Sequence, residues 1–102
     1  MVSAKPSCIN ERHDAHGYYW RYTHSPGESQ ETLDMAIRIA TMVAGTEANR
    51  SGKTYVVAST SRPSPAVFVL PRIHPELATI TMSVMFEFTP EGECIRHKPA
   101  RH

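Results

Sequence analysis

Five of the chain's cysteines and histidines are weighed first as metal ligands: Cys8, His13, His16, Cys94 and His97. His13-x-x-His16 and Cys94-x-x-His97 are each spaced for chelation. The first pair lies in a polar stretch without a clear period. The second pair loses joint ligation if residues 93–97 form a strand, because side chains three apart on a strand point to opposite faces. These residues are therefore read as separate surface histidines and a core cysteine, and no metal or cofactor is assigned.

Ser51-Gly52-Lys53-Thr54 looks like the end of a phosphate-binding loop. The full pattern needs glycine at position 47, where Glu47 stands, and it needs a strand before and a helix after, the reverse of the order here. A plain turn explains it better. Catalysis finds little else: no serine or cysteine sits in a strand-to-helix elbow. The carboxylates Glu28, Glu31, Asp34, Glu91 and Glu93 fall at helix ends and turns, where capping and solubility account for them. No catalytic residue is assigned, and the chain is read as non-enzymatic.

An aromatic row offers a different chemistry. Tyr18, Trp20 and Tyr22, with Arg21 and His24 beside them, have the makings of a stacking strip for single-stranded nucleic acid. Arg96, Lys98 and Arg101 could add phosphate contacts. This is the alternative function. Against it, the charge is nearly balanced, and aromatic rows on a strand beneath a helix are usually core.

The elements that must position these residues follow from periodicity. Residues 1–16 are polar, with an apolar foothold only at Cys8 and Ile9, and read as an irregular arm. Gly17 to His24 alternates aromatic and polar residues and predicts a strand. Ser25-Pro26-Gly27-Glu28 has the grammar of a helix start, with Ser29 as a competing cap. Apolar residues at 33, 36, 37, 40, 43 and 44, widened by Met35, Ile39 and Met42, predict a helix from about Gln30 buried deeply on a sheet. It should end at Gly45 or continue to Asn49.

Thr54 to Thr60 and Ala66 to Leu70 predict two further strands, and residues 71–75 a closing loop. Thr79 to Thr89 predicts a long strand with Ile80, Met82, Val84, Phe86 and Phe88 on one face; only Met85 breaks the polar side. Thr89-Pro90-Glu91-Gly92 is a turn, and Glu93 to His97 a short last strand. Residues 98–102 form a basic tail. The expected fold is α+β: one helix on one face of a mixed, mostly antiparallel sheet of four to five strands, in the order β-α-β-β-β-β. The first crossover should make its two strands parallel.

The chain's 102 residues make one domain, here residues 17–97, and its 11 basic and 10 acidic side chains give a formal charge of +1. With 40% hydrophobic and 21% charged residues, the composition excludes a disordered chain, a strongly acidic nucleic-acid mimic and a histone-like binder. No apolar run reaches the ~18–20 residues that cross a bilayer. The charged first twenty residues do not read as a signal peptide, and two cysteines suit a reducing compartment. A cytoplasmic location is expected.

One imbalance bears on function. The predicted second and third strands are apolar on both faces, and Tyr19 stands opposite the Tyr18, Trp20, Tyr22 row. One helix covers one face, so the arm, a second copy of the chain or another protein should cover the other. The expected function is therefore protein binding, through that sheet face or an edge, and a homodimer is among the expected assemblies. Residues assigned to the interaction surface are Tyr19, Arg21, Tyr55, Arg62, Met85, Arg96, Lys98 and Arg101.

A Gly-started strand (Gly17-Tyr18-Tyr19), an Ala/Met-rich helix (Met35-Ala36 through Met42), Tyr-Val-Val at Tyr55 to Val57 and Val-Phe-Val-Leu-Pro at Val67 to Pro71 give a layout. That layout resembles small phage-encoded inhibitors, certain anti-CRISPR proteins among them. The resemblance covers residues 17–71 and rests on element order. It implies a non-enzymatic protein, without cofactor, that blocks a nucleoprotein effector in the host cytoplasm by binding it.

Overall fold

The computed structural model describes residues 8–61, 64–79 and 82–97. The elements are β1 (Ile9–Asp14), β2 (Gly17–Thr23), α1 (Gln30–Ser51), β3 (Tyr55–Thr60), β4 (Ala66–Pro71), α2 (Glu76–Thr79), β5 (Ser83–Phe88) and β6 (Cys94–Arg96). The strands form one six-stranded sheet in the order β1-β2-β4-β3-β5-β6, and every neighbouring pair is antiparallel.

The expected parallel pairing of the first crossover does not occur. β4 lies between β2 and β3 and is antiparallel to both, so those two strands point the same way without touching. The reason is solvation. β4 is apolar along Ala66–Leu70 and buried throughout, and such a strand belongs at the centre of a sheet with both faces covered.

The leader is not wholly irregular, since residues 9–14 form an edge strand. Asn10, Glu11, Arg12, His13 and Asp14 carry no apolar alternation, so the ladder to β2 supplies the order, from Ile9↔Tyr22 to Asp14↔Gly17. Charged side chains suit an open sheet edge. Asp14 Oδ1 accepts the His16 backbone N–H at 2.8 Å, closing the tight turn. Gly17 follows with φ 128°, where a Cβ would stand 3.0 Å from the Tyr55 hydroxyl. Both facts require glycine.

Ser29 caps α1, accepting the Thr32 N–H, and Gly52 ends it in a left-handed conformation. The helix therefore continues past Gly45 to Ser51, 22 residues in all and about 33 Å long at 1.5 Å per residue. Its contact stripe is narrower than the apolar arc suggests. Ala36, Ala40, Ala44 and Ala48 are completely buried, whereas Met42 is 71% exposed. Four alanines at i, i+4 spacing let the helix settle close on Trp20, Tyr22, Tyr55, Val57, Val67 and Val69.

The opposite sheet face is not left open. Tyr19, Val56, Ala66, Phe68 and Leu70 form a second buried cluster, and Leu77, Met82 and Val84 pack against it. The β4–β5 connection folds back through α2 to deliver Leu77, and the Arg12 guanidinium lies 3.9 Å above the Tyr19 ring. The arm, a second copy or another protein was expected to cover this face; the cover found is the chain's own β4–β5 connection, through Leu77 and Met82.

The shortfall lies on the helix side instead. Six strands at ~4.8 Å spacing span roughly 24 Å, while a helix with its side chains is only ~10–12 Å wide. α1 packs chiefly on β4 and β3 and less on β5 and β2. The β5–β6 flank lies beyond its main footprint. Among the described residues, no helix is long and apolar enough to cross a membrane.

Candidate functional site

β5 departs from the long strand that the sequence suggests, because the described strand starts at Ser83 and carries a bulge. Val57 pairs with Phe86 and the next residue, Ala58, with Val84. Met85 is the extra residue, and an extra residue reverses the parity of everything beyond it. Met85, Phe86 and Phe88 consequently pack on the helix side, while Met82 and Val84 join the second cluster. The single-face row of Met82, Val84, Phe86 and Phe88 is thereby divided between the two faces.

The bulge creates a feature. Met85 and Phe86 stand side by side and line a groove of about 330 Å³ with Ser59, Ser83, Val84, Arg96 and His97. Its lining is mainly apolar, with two hydroxyls and two basic side chains at the rim. Arg96 extends over the Phe86 ring, 5.6 Å from its centroid. β6 forms one wall. It is only three residues long, exposed throughout, and the last strand of the sheet.

A larger hollow, about 390 Å³, opens between Lys53, Thr54, Pro71, Arg72, Ile73 and Glu87, but its polar groups are engaged internally. Arg72 Nε lies 2.9 Å from Glu87 Oε2, and Lys53 Nζ donates to the His16 carbonyl at 3.3 Å. The other Glu87 oxygen is 2.8 Å from His97 Nε2.

The acid–imidazole pair Asp14–His74 also has a structural task. His74 Nε2 lies 2.9 Å from Asp14 Oδ2, and its Nδ1 accepts the Glu76 N–H at 3.1 Å. With both ring nitrogens engaged, the imidazole has no lone pair to offer a substrate proton. The hydrogen bond from His74, then that from the His16 N–H, holds the Asp14 carboxyl down at about 2. Beside it, burial and the adjoining Glu76 carboxylate push the Tyr19 hydroxyl up to about 12. At the helix start, the Ser25 N–H and the Tyr22 hydroxyl lower Glu28.

Of the residues assigned to an interaction surface, the groove brings together Met85 and Arg96. Tyr19 and Tyr55 are each 1% exposed and offer no surface. Tyr19 lies beneath Arg12, and Tyr55 sits under the helix, its hydroxyl accepting the Tyr18 N–H at 3.0 Å. Arg21 is half-buried on the sealed face, opposite Phe68. Arg62, Lys98 and Arg101 lie outside the described residues. Sequence reasoning assigned Phe86 to the core and left Ser59 and Ser83 out; the signal for the groove was Met85, apolar where the alternation called for a polar residue.

The aromatic row of the nucleic-acid alternative is core. Tyr18, Trp20 and Tyr22 are buried beneath α1, and none presents a free ring face to a base. The metal-ligand candidates are dispersed. His13 packs on Tyr18 and His16 on His74, while Cys8 Sγ lies 3.8 Å from Ser25 Oγ. Cys94 and His97 occupy alternate faces of the β6 ladder. Among the described residues, no three of His, Cys, Asp and Glu gather closely enough to hold a metal ion. Comparison of the chain with family models, with curated proteins and with solved structures finds no match.

Proposed function

We propose that this chain is a small non-enzymatic protein-binding module that seats an extended, apolar-bearing segment of a larger partner in the β5–β6 groove. The observation that carries this reading is the bulge. It turns Met85 to stand beside Phe86 on a flank that the helix leaves open, and bulges commonly re-aim side chains at functional positions. An apolar side chain fully buried there gains about 2 kcal/mol, and methionine adapts to partners of varied shape. The layout of residues 17–71 resembles that of small phage-encoded inhibitors, and on that resemblance the partner that binding would block is a large nucleoprotein assembly such as a CRISPR effector.

Site-specific photocrosslinking tests this. A photoreactive amino acid at Ser83, on the groove rim, should yield a discrete adduct in lysate of the native host, and Met85→Glu should abolish it. The same group at Arg38, on the outer helix face, should give none. Absence of any adduct, or equal adducts from both positions, would contradict the reading.

A further inference from the structure

The outer edge of β6, unpaired among the described residues, has a property that the groove does not need. Two backbone bonds fix which way its peptide groups point. The Thr89 N–H donates to the Glu93 carbonyl at 3.0 Å, and the His97 N–H to the Met85 carbonyl at 2.9 Å. Residues 93 and 97 therefore turn their backbone groups toward β5. In an antiparallel ladder these roles alternate, so Ile95 also faces β5 while Cys94 and Arg96 turn theirs outward. Their side chains alternate as well. Ile95 lies opposite Glu87, and Glu93 and His97 share its face; Cys94 and Arg96 lie on the helix side, opposite Phe88 and Phe86.

This edge is complementary to itself. A two-fold axis through Ile95 sets Cys94 of one copy opposite Arg96 of the other, and these are the residues whose N–H and C=O groups point outward. Four backbone hydrogen bonds form without disturbing the ladder to β5. The same operation sets Glu93 opposite His97 of the second copy, pairing an acid with a base on each side of the axis. Ile95, 45% exposed in the single chain, meets its own mate at the centre. That central pair is of the non-hydrogen-bonded kind, whose side chains approach most closely.

At the opposite edge of the sheet two registers are disfavoured by charge. Antiparallel self-pairing of β1 about Glu11 or Arg12 sets two like charges directly across from each other, which is destabilising.

We infer that β6 pairs with β6 of a second copy of this chain about a two-fold axis through Ile95, joining two six-stranded sheets into one of twelve. The axis stands perpendicular to the sheet, so both helices lie on the same side. The two grooves then open toward each other across the seam, with Met85, Phe86 and Arg96 of each copy contributing to one continuous floor. His97, already hydrogen-bonded to Glu87, stands between two carboxylates. A near-neutral chain (formal charge +1) presents little long-range repulsion to such an association. The inference deepens the groove reading by naming an occupant for the adjoining edge.

The register makes it testable. With Cys8→Ser and Cys94→Ser in place, Ile95→Cys should form an intermolecular disulfide under mild oxidation, because the facing Cα atoms lie about 4.5 Å apart. Arg96→Cys in the same background should not, since its mate lies on a longer diagonal. Light scattering should give wild-type chain twice the 11.4 kDa chain mass at high micromolar concentration. Arg96→Pro should weaken the dimer about tenfold or more while leaving the far-ultraviolet dichroism unchanged, because the lost N–H faces outward. A monomeric wild type, a dimer indifferent to Arg96→Pro, or crosslinking equally efficient from both cysteine positions would overturn the inference. None of these outcomes alters the Ser83 photocrosslink, so pairing and groove stand or fall separately.

Discussion

His74 Nε2 lies 2.9 Å from Asp14 Oδ2, and this bond ties the β4–β5 connection to the β1–β2 hairpin across sixty residues of chain. The backbone N–H of Glu76 donates to His74 Nδ1, so the proton on the ring sits at Nε2 and is given to the carboxylate. His74 is buried, its ring 5.6 Å from that of Tyr19. The latch holds the connection that covers much of the second sheet face against the β1–β2 hairpin.

Acid should loosen this latch. Asp14 titrates at about 2 in the folded chain, against an ordinary value of 3.8. A depressed carboxyl contributes stability that is complete above 3.8 and is lost as pH falls toward 2. Because the carboxylate is a quarter exposed, the contribution is on the order of 1 kcal/mol after solvent screening. Asp14→Asn should therefore melt below wild type at pH 7, and the gap should close below about pH 3. Melting curves taken from pH 2 to 7 check this, and a gap that does not change with pH would contradict it.

Removing the imidazole from the latch should be costly. His74→Ala leaves the Glu76 N–H and the Asp14 carboxylate without their partner, at about 1–3 kcal/mol. Denaturant unfolding should show that loss. A dye that reports exposed apolar surface should bind the variant more strongly, because Leu77 no longer holds its place over Phe68 and Leu70.

The helix carries a residue that can be improved. A Cβ on Gly45 would meet the Phe88 ring at 3.6 Å, an ordinary van der Waals contact. Gly45→Ala should stabilise the chain by up to about 1 kcal/mol, raising the melting temperature by roughly 4–8 °C. A lowered melting temperature would mean that Phe88 has no room to accept the methyl group.

Deleting Met85 separates the groove from the fold. Phe86 and Val84 would then pair with Val57 and Ala58 without an extra residue between them, so both keep their faces and β5 becomes a regular strand. The deletion should leave circular dichroism intact, cost about 1 kcal/mol of stability through lost packing, and abolish the Ser83 crosslink.

Much of the fold was legible, and the reasons for the rest are physical. The helix, its Ser29 cap and the Thr89–Gly92 turn are written in local chemistry. β1 was not legible because its order comes from pairing with β2 and from no pattern of its own. The strand order was hidden because a uniformly apolar strand such as β4 does not state its neighbours. α2 was hidden because Pro71 and Pro75 signal loop whether or not the loop folds back to cover a core. At the groove, Met85 and Arg96 were recognisable, but only the bulge register reveals that Met85 and Phe86 share a face.

The most direct measurement follows the methionine methyl groups. In a chain carrying isotope-labelled methionine, Met85 lies in the groove, Met82 against the sealed second face and Met42 on the exposed helix. Addition of the partner captured from the Ser83 position should shift or broaden the Met85 resonance and leave those of Met82 and Met42 in place. Movement of Met42 or Met82 while Met85 stays unchanged would place the partner elsewhere and contradict the account.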